Sequence, residues 1–117
     1  LRNESGIEEL EELLRFTGEQ KKNEKIHTQS LPPNIEELFT RFALGVYTLT
    51  KTEYIIFHYY MEGYEIAQIP EIAFISMSTV KKHNRNIYEK LKVSSYNELM
   101  LYLNLFERCG RISELER

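Results

Sequence analysis

The chain has too few cysteines for a disulfide framework and no apolar run long enough for a membrane span. Its 117 residues include one cysteine, Cys109, so no internal disulfide can form, and a lone thiol is typical of a reducing compartment. Hydrophobic residues make up 42% of the chain but never form the apolar run of about 20 residues that a membrane helix needs. We therefore expect a cytoplasmic protein. Because the chain begins at Leu1 and not at Met, we also expect a longer parent protein, in which an upstream membrane segment stays an open alternative.

Signatures of catalysis and of metal binding are missing as well. The five glycines form no glycine-rich phosphate loop, and no serine, histidine and aspartate fall at the spacing of a catalytic triad. His27 and His58 have no metal-ligating neighbours, and Cys109 has no adjacent histidine that would activate its thiol. We predict no enzyme activity, no metal, no cofactor and no small-molecule substrate.

Negative charge is concentrated in the first part of the chain, although the net charge is only −3. Residues 1–46 carry six Lys and Arg against nine acidic residues, whereas residues 47–102 carry six against six. Within residues 76–93 one acid, Glu89, faces five cations: Lys81, Lys82, Arg85, Lys90 and Lys92. Such a local basic patch is what a DNA-binding surface needs.

The first 33 residues are predicted to form a separate region. Residues 7–16 place isoleucine and leucines on one face of a short helix and glutamates on the other. This helix either packs on its own domain or is the end of a coiled coil that enters from upstream. Residues 17–33 are polar and end in two prolines, which is typical of a linker.

Two helices are predicted next. The apolar pattern favours a helix over residues 35–44, which Gly45 would end. The following helix, over residues 51–62, is apolar on nearly every side, and such a helix needs cover on more than one face. We therefore expect the first of these helices to pack on Tyr54 and Ile55.

Proline limits the helix that follows. A helix over residues 66–73 would contain Pro70, which costs about 3 kcal/mol in a helix interior but is tolerated in the first turn. We expect this helix to be short or kinked, or to begin late with Pro70 in its first turn.

The most informative stretch of the sequence is the predicted start of a helix at Ser76, where polar and basic residues are concentrated. Ser76 can cap a helix, Thr79 lies three residues on, and Lys81, Lys82 and Arg85 crowd the first two turns. Because the helix dipole disfavours cations there, and no acid balances them, we expect an external polyanion as their partner. The free N–H groups at the helix start would also attract phosphate.

From about residue 49 to residue 102 the sequence resembles the LuxR/FixJ/NarL-type helix-turn-helix domain of bacterial transcriptional regulators. The second half carries the more specific residues: Thr79, Val80, Lys81, His83, Asn86, Ile87, Lys90, Leu91, Val93, Ser95, Glu98 and Leu99. The first half adds Leu49, Thr50, Glu53, Ile56, Phe57, Gly63, Ile69, Ile75 and Ser76. The resemblance implies an all-α fold, a four-helix LuxR-type bundle, here with an additional N-terminal helix or helices. This chain departs from the family at Pro70, where alanine is usual, and at Lys92, where glycine is usual.

By this resemblance, a helix over residues 77–91 lies in the major groove of double-stranded DNA. Its base-reading residues would be Lys81, Lys82 and Arg85, with a merely solvated cationic face as the alternative. The residues suited to phosphate contacts are Ser76, Ser78, Thr79, His83 and Asn86. For His83 a structural role is the alternative.

The last helix, from residue 96 to about residue 108, has more apolar residues than one face can bury. The resemblance implies a homodimer through this helix, with Leu101, Tyr102 and Leu105 as interface residues. The alternative is that an N-terminal helix of the same chain covers them.

Residues 34–117, with a core over 49–108, are thus predicted to form a sequence-specific transcriptional regulator that an upstream sensor region controls. The alternative is a degenerate helix-turn-helix domain that serves as a protein–protein interaction module. Pro70, Lys92 and the acidic first third of the chain suggest this alternative.

Overall fold

The computed structural model describes residues 33–117. The predicted helix over residues 7–16 and the predicted linker lie outside these residues, except for Pro33, which begins the first helix. Between residues 33 and 117 the chain forms five α-helices, two short 3-10 helices and no strand. The helices are α1 (Pro33–Tyr47), α2 (Lys51–Met61), α3 (Ile69–Ala73), α4 (Met77–Leu91) and α5 (Tyr96–Arg108), and the 3-10 helices are Ile66–Gln68 and Ile112–Leu115. None of these helices has the length and apolar character to cross a membrane.

Side-chain caps set the starts of three helices, including the predicted cap at Ser76. At the start of α2, Thr50 Oγ1 accepts from Glu53 N at 3.2 Å, and Glu53 Oε1 accepts from Thr50 N at 2.9 Å. Ser76 caps α4 and Ser95 caps α5, and each hydroxyl accepts from the N–H three residues on. Each cap satisfies an N–H group that the helix itself leaves free.

Gly45 does not end α1, contrary to our prediction, because the helix continues to Tyr47. A Cβ atom at Gly45 would lie 2.5 Å from the main-chain oxygen of Lys90, in α4. The missing side chain therefore allows α1 to approach the backbone of α4 closely. The glycine serves packing between helices and not helix termination.

Stacked aromatic rings hold α1 against α5. The ring centroids of Phe42 and Tyr102 are 4.4 Å apart, and those of Phe39 and Phe106 are 4.2 Å apart. All four side chains are buried. Together with the close approach to α4, these contacts place α1 across α4 and α5.

The prediction that this first helix covers Tyr54 and Ile55 is wrong. Ile55 is 43% exposed, and the ring of Tyr54 is covered by Arg117, whose guanidinium lies 4.8 Å from the ring centroid. Arg117 is held there because its Nη1 donates to the main-chain oxygens of Val46 and Leu49. The end of the described chain, and not α1, packs on this side of α2.

The prediction for Pro70 is confirmed. Helix α3 begins late, at Ile69, so Pro70 lies in its first turn, and the preceding turn is the 3-10 helix Ile66–Gln68. The helix ends after five residues at Phe74, which has the left-handed conformation with φ 58°. This short helix and the turn at Phe74 lead directly into α4.

Candidate nucleic-acid interface

One side of α4 is exposed along the whole helix. The exposed side chains recur at intervals of three and four residues, so they lie on one face: Ser78, Lys81, Lys82, Arg85 and Glu89. We call this set the exposed face of α4. The opposite side is buried and consists of Val80, Asn84, Ile87 and Leu91. The three predicted base-reading residues are therefore brought together on one surface.

The cations on this face are free of ion pairs within the described part of the chain. The ion pairs between residues 33 and 117 do not include Lys81, Lys82 or Arg85. Helix α4 also has no acidic residue in its first turn. Their positive charge therefore faces solvent next to the positive end of the helix dipole.

Three hydroxyl groups cluster at the start of α4. Ser76 Oγ lies 3.0 Å from Ser78 Oγ and 2.9 Å from Thr79 Oγ1, and it accepts from Thr79 N at 3.2 Å. Ser76 and Ser78 are exposed, and Thr79 is half-buried. Hydroxyls beside the free N–H groups of a helix start suit an anionic oxygen such as that of phosphate.

His83 and Asn86 lie at the edge of this surface, and both are half-buried. The Nδ1 atom of His83 is buried and has no hydrogen-bond partner among residues 33–117. Only the exposed remainder of the ring is available to a ligand. Both of the roles expected for His83 are compatible with this position.

Lys90 belongs to the basic patch in sequence but is neutralised in the structure. Its Nζ lies 2.7 Å from Glu53 Oε1, and Glu53 is only 3% exposed. Burial alone would raise the pKa of Glu53, but the hydrogen bonds from Lys90 and from the main chain of Thr50 lower it below its usual value. The pair joins α2 to α4, so Lys90 positions the helix and does not add to its free charge.

A second polar contact between these two helices is not evident from the sequence. Tyr60 OH donates to Asn84 Oδ1 at 2.8 Å, and both side chains are buried. Burial, its largest cause, raises the pKa of Tyr60 above its usual value. The only signal in the sequence is a polar residue, Asn84, on the otherwise apolar side of α4.

Comparison with protein-family models agrees with this geometry. Residues 47–103 match the model for bacterial regulatory proteins of the luxR family. These residues therefore form a helix-turn-helix domain of the LuxR type. Comparison with curated proteins and with solved structures gave no match. The predicted all-α helix-turn-helix fold is confirmed, and the family makes the matched segment a DNA-binding domain of a transcription regulator.

The matched residues include α2, α3 and α4 and end within α5. Nearly all of α1 lies outside the LuxR-family segment, as does the chain from residue 104 onward. The packing of α1 on α4 and α5 is therefore an addition to the matched domain.

Two residues of the LuxR-family segment adopt the left-handed conformation without being glycine. Lys92 ends α4 with φ 62°, and Phe74 ends α3 with φ 58°. Lys92 is exposed and Phe74 is 91% exposed, so packing of their side chains against residues 33–117 does not hold either conformation. A left-handed non-glycine residue costs roughly 1–2 kcal/mol. A left-handed conformation at Lys92 fits a position where the family usually has glycine, whereas nothing in the sequence indicated the exposure of Phe74.

The structure corrects the dimer residues expected on the last helix. Tyr102 is 2% exposed and stacks on Phe42, and Leu105 is completely buried. These two side chains fill the core of their own chain, so they are not available to a second copy. Leu101 is half-buried and keeps part of its side chain at the surface.

Proposed function

We propose that this LuxR-family domain is a sequence-specific DNA-binding regulator that inserts α4 into the major groove of double-stranded DNA. The observation that carries this proposal is the exposed face of α4, where Lys81, Lys82 and Arg85 lie together without an ion pair among the described residues. The major groove is wide enough for a helix and shows a distinct pattern of donors and acceptors for each base pair.

Each cation has a defined task in this proposal. Arg85 donates two hydrogen bonds to O6 and N7 of a guanine, a contact that discriminates against a wrong base by about 1–3 kcal/mol. Lys81 and Lys82 donate to acceptors on neighbouring bases. Helix periodicity supports this division, since side chains at positions i, i+1 and i+4 reach adjacent parts of one groove.

Phosphate contacts set the register of the helix in the groove. Ser76, Ser78 and Thr79 present their hydroxyls beside the start of α4, and the first N–H groups of the helix add donors. His83 and Asn86 are the further candidates for phosphate contacts, from the edge of the same surface. These contacts strengthen binding without reading sequence.

The regulator is proposed to act as a homodimer through α5, under the control of an upstream sensor region. With Tyr102 and Leu105 buried, the surface that remains for a partner on α5 centres on Leu101, with Asn97 and Asn104 beside it. These three positions lie on one face of the helix. Two copies related by a twofold axis would read half-sites about 34–36 Å apart.

A second candidate function is suggested by Phe74. This side chain is 91% exposed at the turn between α3 and α4. An aromatic ring in water at that turn is available to a partner protein. In this alternative the domain binds proteins through its apolar surface residues and does not bind DNA.

Selection of bound sequences from random duplex DNA separates the two functions. The selection uses the unmodified chain and the variant Lys81→Ala/Arg85→Ala, each at a low and a high salt concentration. We expect a symmetric motif for the unmodified chain, loss of that motif in the variant, and weaker binding at high salt. The control Lys51→Ala/Arg108→Ala removes two exposed cations outside α4 and should keep the motif.

The same selection can also contradict the proposed binding of DNA. If no sequence is enriched and salt has no effect on binding, the DNA-binding proposal is wrong. The partner would then have to be sought among proteins, beginning with those whose binding is lost on Phe74→Ser.

A further inference from the structure

An open groove of about 520 Å³ lies where α1 meets the end of α4. It is lined by Arg41, Leu44, Gly45, Thr48, Glu89, Lys90 and Lys92. We call it the basic groove, because three of its seven residues are cationic. Arg41, Leu44 and Gly45 come from α1 and precede the segment that matches the LuxR family.

The basic groove continues the exposed face of α4. Glu89 belongs to both surfaces, and Lys92 follows Arg85 by seven residues, which is close to two full turns and places it on the same side. With a rise of 1.5 Å per residue, the groove begins at Glu89, about 6 Å further along the helix axis than Arg85, and reaches Lys92 at about 10 Å. A ligand on the exposed face therefore extends directly into the groove.

The charges of the basic groove are not equally available. Lys90 is bound to Glu53, which leaves Arg41 and Lys92 as its exposed cations. Arg41 lies near the hydroxyl of Tyr102, where it partly offsets the rise that burial causes in the pKa of that tyrosine. Glu89 brings a carboxylate to the same groove and opposes any anion there.

Lys92 keeps a conformation that a glycine would adopt without strain. Its φ is 62°, its side chain is exposed, and its main-chain N–H donates to the oxygens of Tyr88 and Glu89 to end the helix. A glycine would make the same main-chain hydrogen bonds. The lysine thus carries a strain that glycine would avoid, and strained residues cluster at functional sites, while its exposed side chain is free to contact a ligand.

We propose that the basic groove holds the phosphate backbone of the DNA that α4 reads, with Arg41 and Lys92 as the phosphate contacts. This inference rests on the proposed function. It assigns α1 a role in binding, because Arg41 adds a contact from outside the LuxR-family segment. The groove extends the contact surface from the major groove onto the neighbouring strand backbone.

The salt dependence of binding tests this role. For each phosphate contact removed, the slope of log K against log salt concentration should fall by about 0.9. Arg41→Gln and Lys92→Gly are each expected to weaken binding to the selected duplex severalfold and to lower the slope. Glu89→Gln, in the same groove, should strengthen binding. Arg108→Gln removes the same charge from the exposed end of α5 and should leave the slope unchanged.

Lys92→Gly separates binding from folding. Because glycine relieves the left-handed strain, this variant should melt at a higher temperature than the unmodified chain and yet bind DNA more weakly. A merely structural role for Lys92 would move both quantities in the same direction. Sedimentation should show that all four variants keep the oligomeric state of the unmodified chain.

DNA in which single phosphates are replaced by an uncharged group shows which phosphate Arg41 contacts. Replacing single phosphates by methylphosphonates should reveal one or more positions at which the unmodified chain loses affinity and Arg41→Gln does not.

If the unmodified chain binds DNA but Arg41→Gln and Lys92→Gly bind with the same slope and affinity, the inference is overturned while the proposed function stands. If the unmodified chain binds no DNA, both are overturned. The inference is also overturned if the basic groove binds an acidic protein while Arg41→Gln and Lys92→Gly leave the affinity for DNA unchanged.

Discussion

At the scale of single residues, Gly45 shows how closely α1 and α4 are packed. Alanine has a helix propensity about 1 kcal/mol better than glycine, so Gly45→Ala would stabilise an isolated helix. In this protein the added Cβ would meet the main-chain oxygen of Lys90 at 2.5 Å, and a backbone atom cannot easily move away. We therefore expect a loss of about 1–3 kcal/mol in the free energy of unfolding, as for other overpacked interiors.

The measurement for Gly45→Ala is urea unfolding at neutral pH. The neighbouring variant Leu44→Ala is the control, since its side chain is 61% exposed and should change stability by no more than about 0.5 kcal/mol. A Gly45→Ala protein that is more stable than the unmodified chain would contradict the close approach of the two helices.

The sequence predicts single residues well where local chemistry decides. Ser76 and Thr50 are caps because a hydroxyl three residues before a free N–H is a local arrangement. The left-handed conformation at Lys92 follows likewise from a helix that has to end there. The prediction for Gly45 was wrong because a glycine can either end a helix or allow a neighbouring backbone to come close. Only the position of α4 distinguishes these two roles.

At the scale of helices, the pair of Glu53 and Lys90 fixes α4 against α2. The folded state lowers the pKa of Glu53 below its usual value. The pair therefore stabilises the protein above the pKa of the unfolded chain, and this contribution is lost as the pH falls through the lower pKa of the folded state. We expect Glu53→Gln to be less stable at neutral pH, on the order of 1–3 kcal/mol, because Lys90 loses a charged and buried partner.

Thermal unfolding over the acid range provides the measurement for this pair. The stability of the unmodified chain should decrease on acidification, and the decrease should be smaller in Glu53→Gln. Glu62→Gln is the control, because Glu62 is exposed and its contact with His58 is long, at 3.6 Å. An equal acid dependence in Glu53→Gln and the unmodified chain would show that the pair is not formed.

Most helix bounds could be predicted from the sequence, but their packing could not. The range 77–91 agrees with α4, and 51–62 differs from α2 by one residue. Pro70 correctly indicated a late start for α3. The predicted packing of α1 was wrong because an apolar helix side can pack on any apolar neighbour. Its actual position is set by Phe39 and Phe42, which stack on rings about 60 residues later in the sequence.

At the scale of the whole molecule, the segments on either side of the LuxR-family domain contact each other. Arg111 Nη1 donates to Glu36 Oε2, in α1, at 2.8 Å, and its guanidinium lies 5.2 Å from the ring centroid of Phe39. Arg111 also pairs with Glu114, in the last 3-10 helix, at 2.7 Å. These contacts close the end of the chain over α1. A resemblance limited to residues 49–102 could not predict them, because both segments lie outside those residues.

This arrangement also limits where a second copy can bind. Within residues 33–117, α1 covers one side of α5, and the side around Leu101 stays open. A buried charge without a partner is unfavourable, so Leu101→Glu should weaken a dimer that forms there. We expect lower affinity for DNA with two half-sites and unchanged affinity for a single half-site. The free energy of unfolding should change little, because Leu101 is not part of the closed core.

Sedimentation equilibrium and titration of both duplexes provide the measurement for Leu101→Glu. Ile55→Glu is the matched control, because it places the same charge on an apolar residue of α2 that is 43% exposed and far in sequence from α5. A Leu101→Glu protein that dimerises like the unmodified chain would place the interface elsewhere. Because α1 occupies the inner side of α5, the exposed residues of α1 around Leu44 and Tyr47 would then be the next surface to test, and a dimer formed there would compete with DNA for the basic groove.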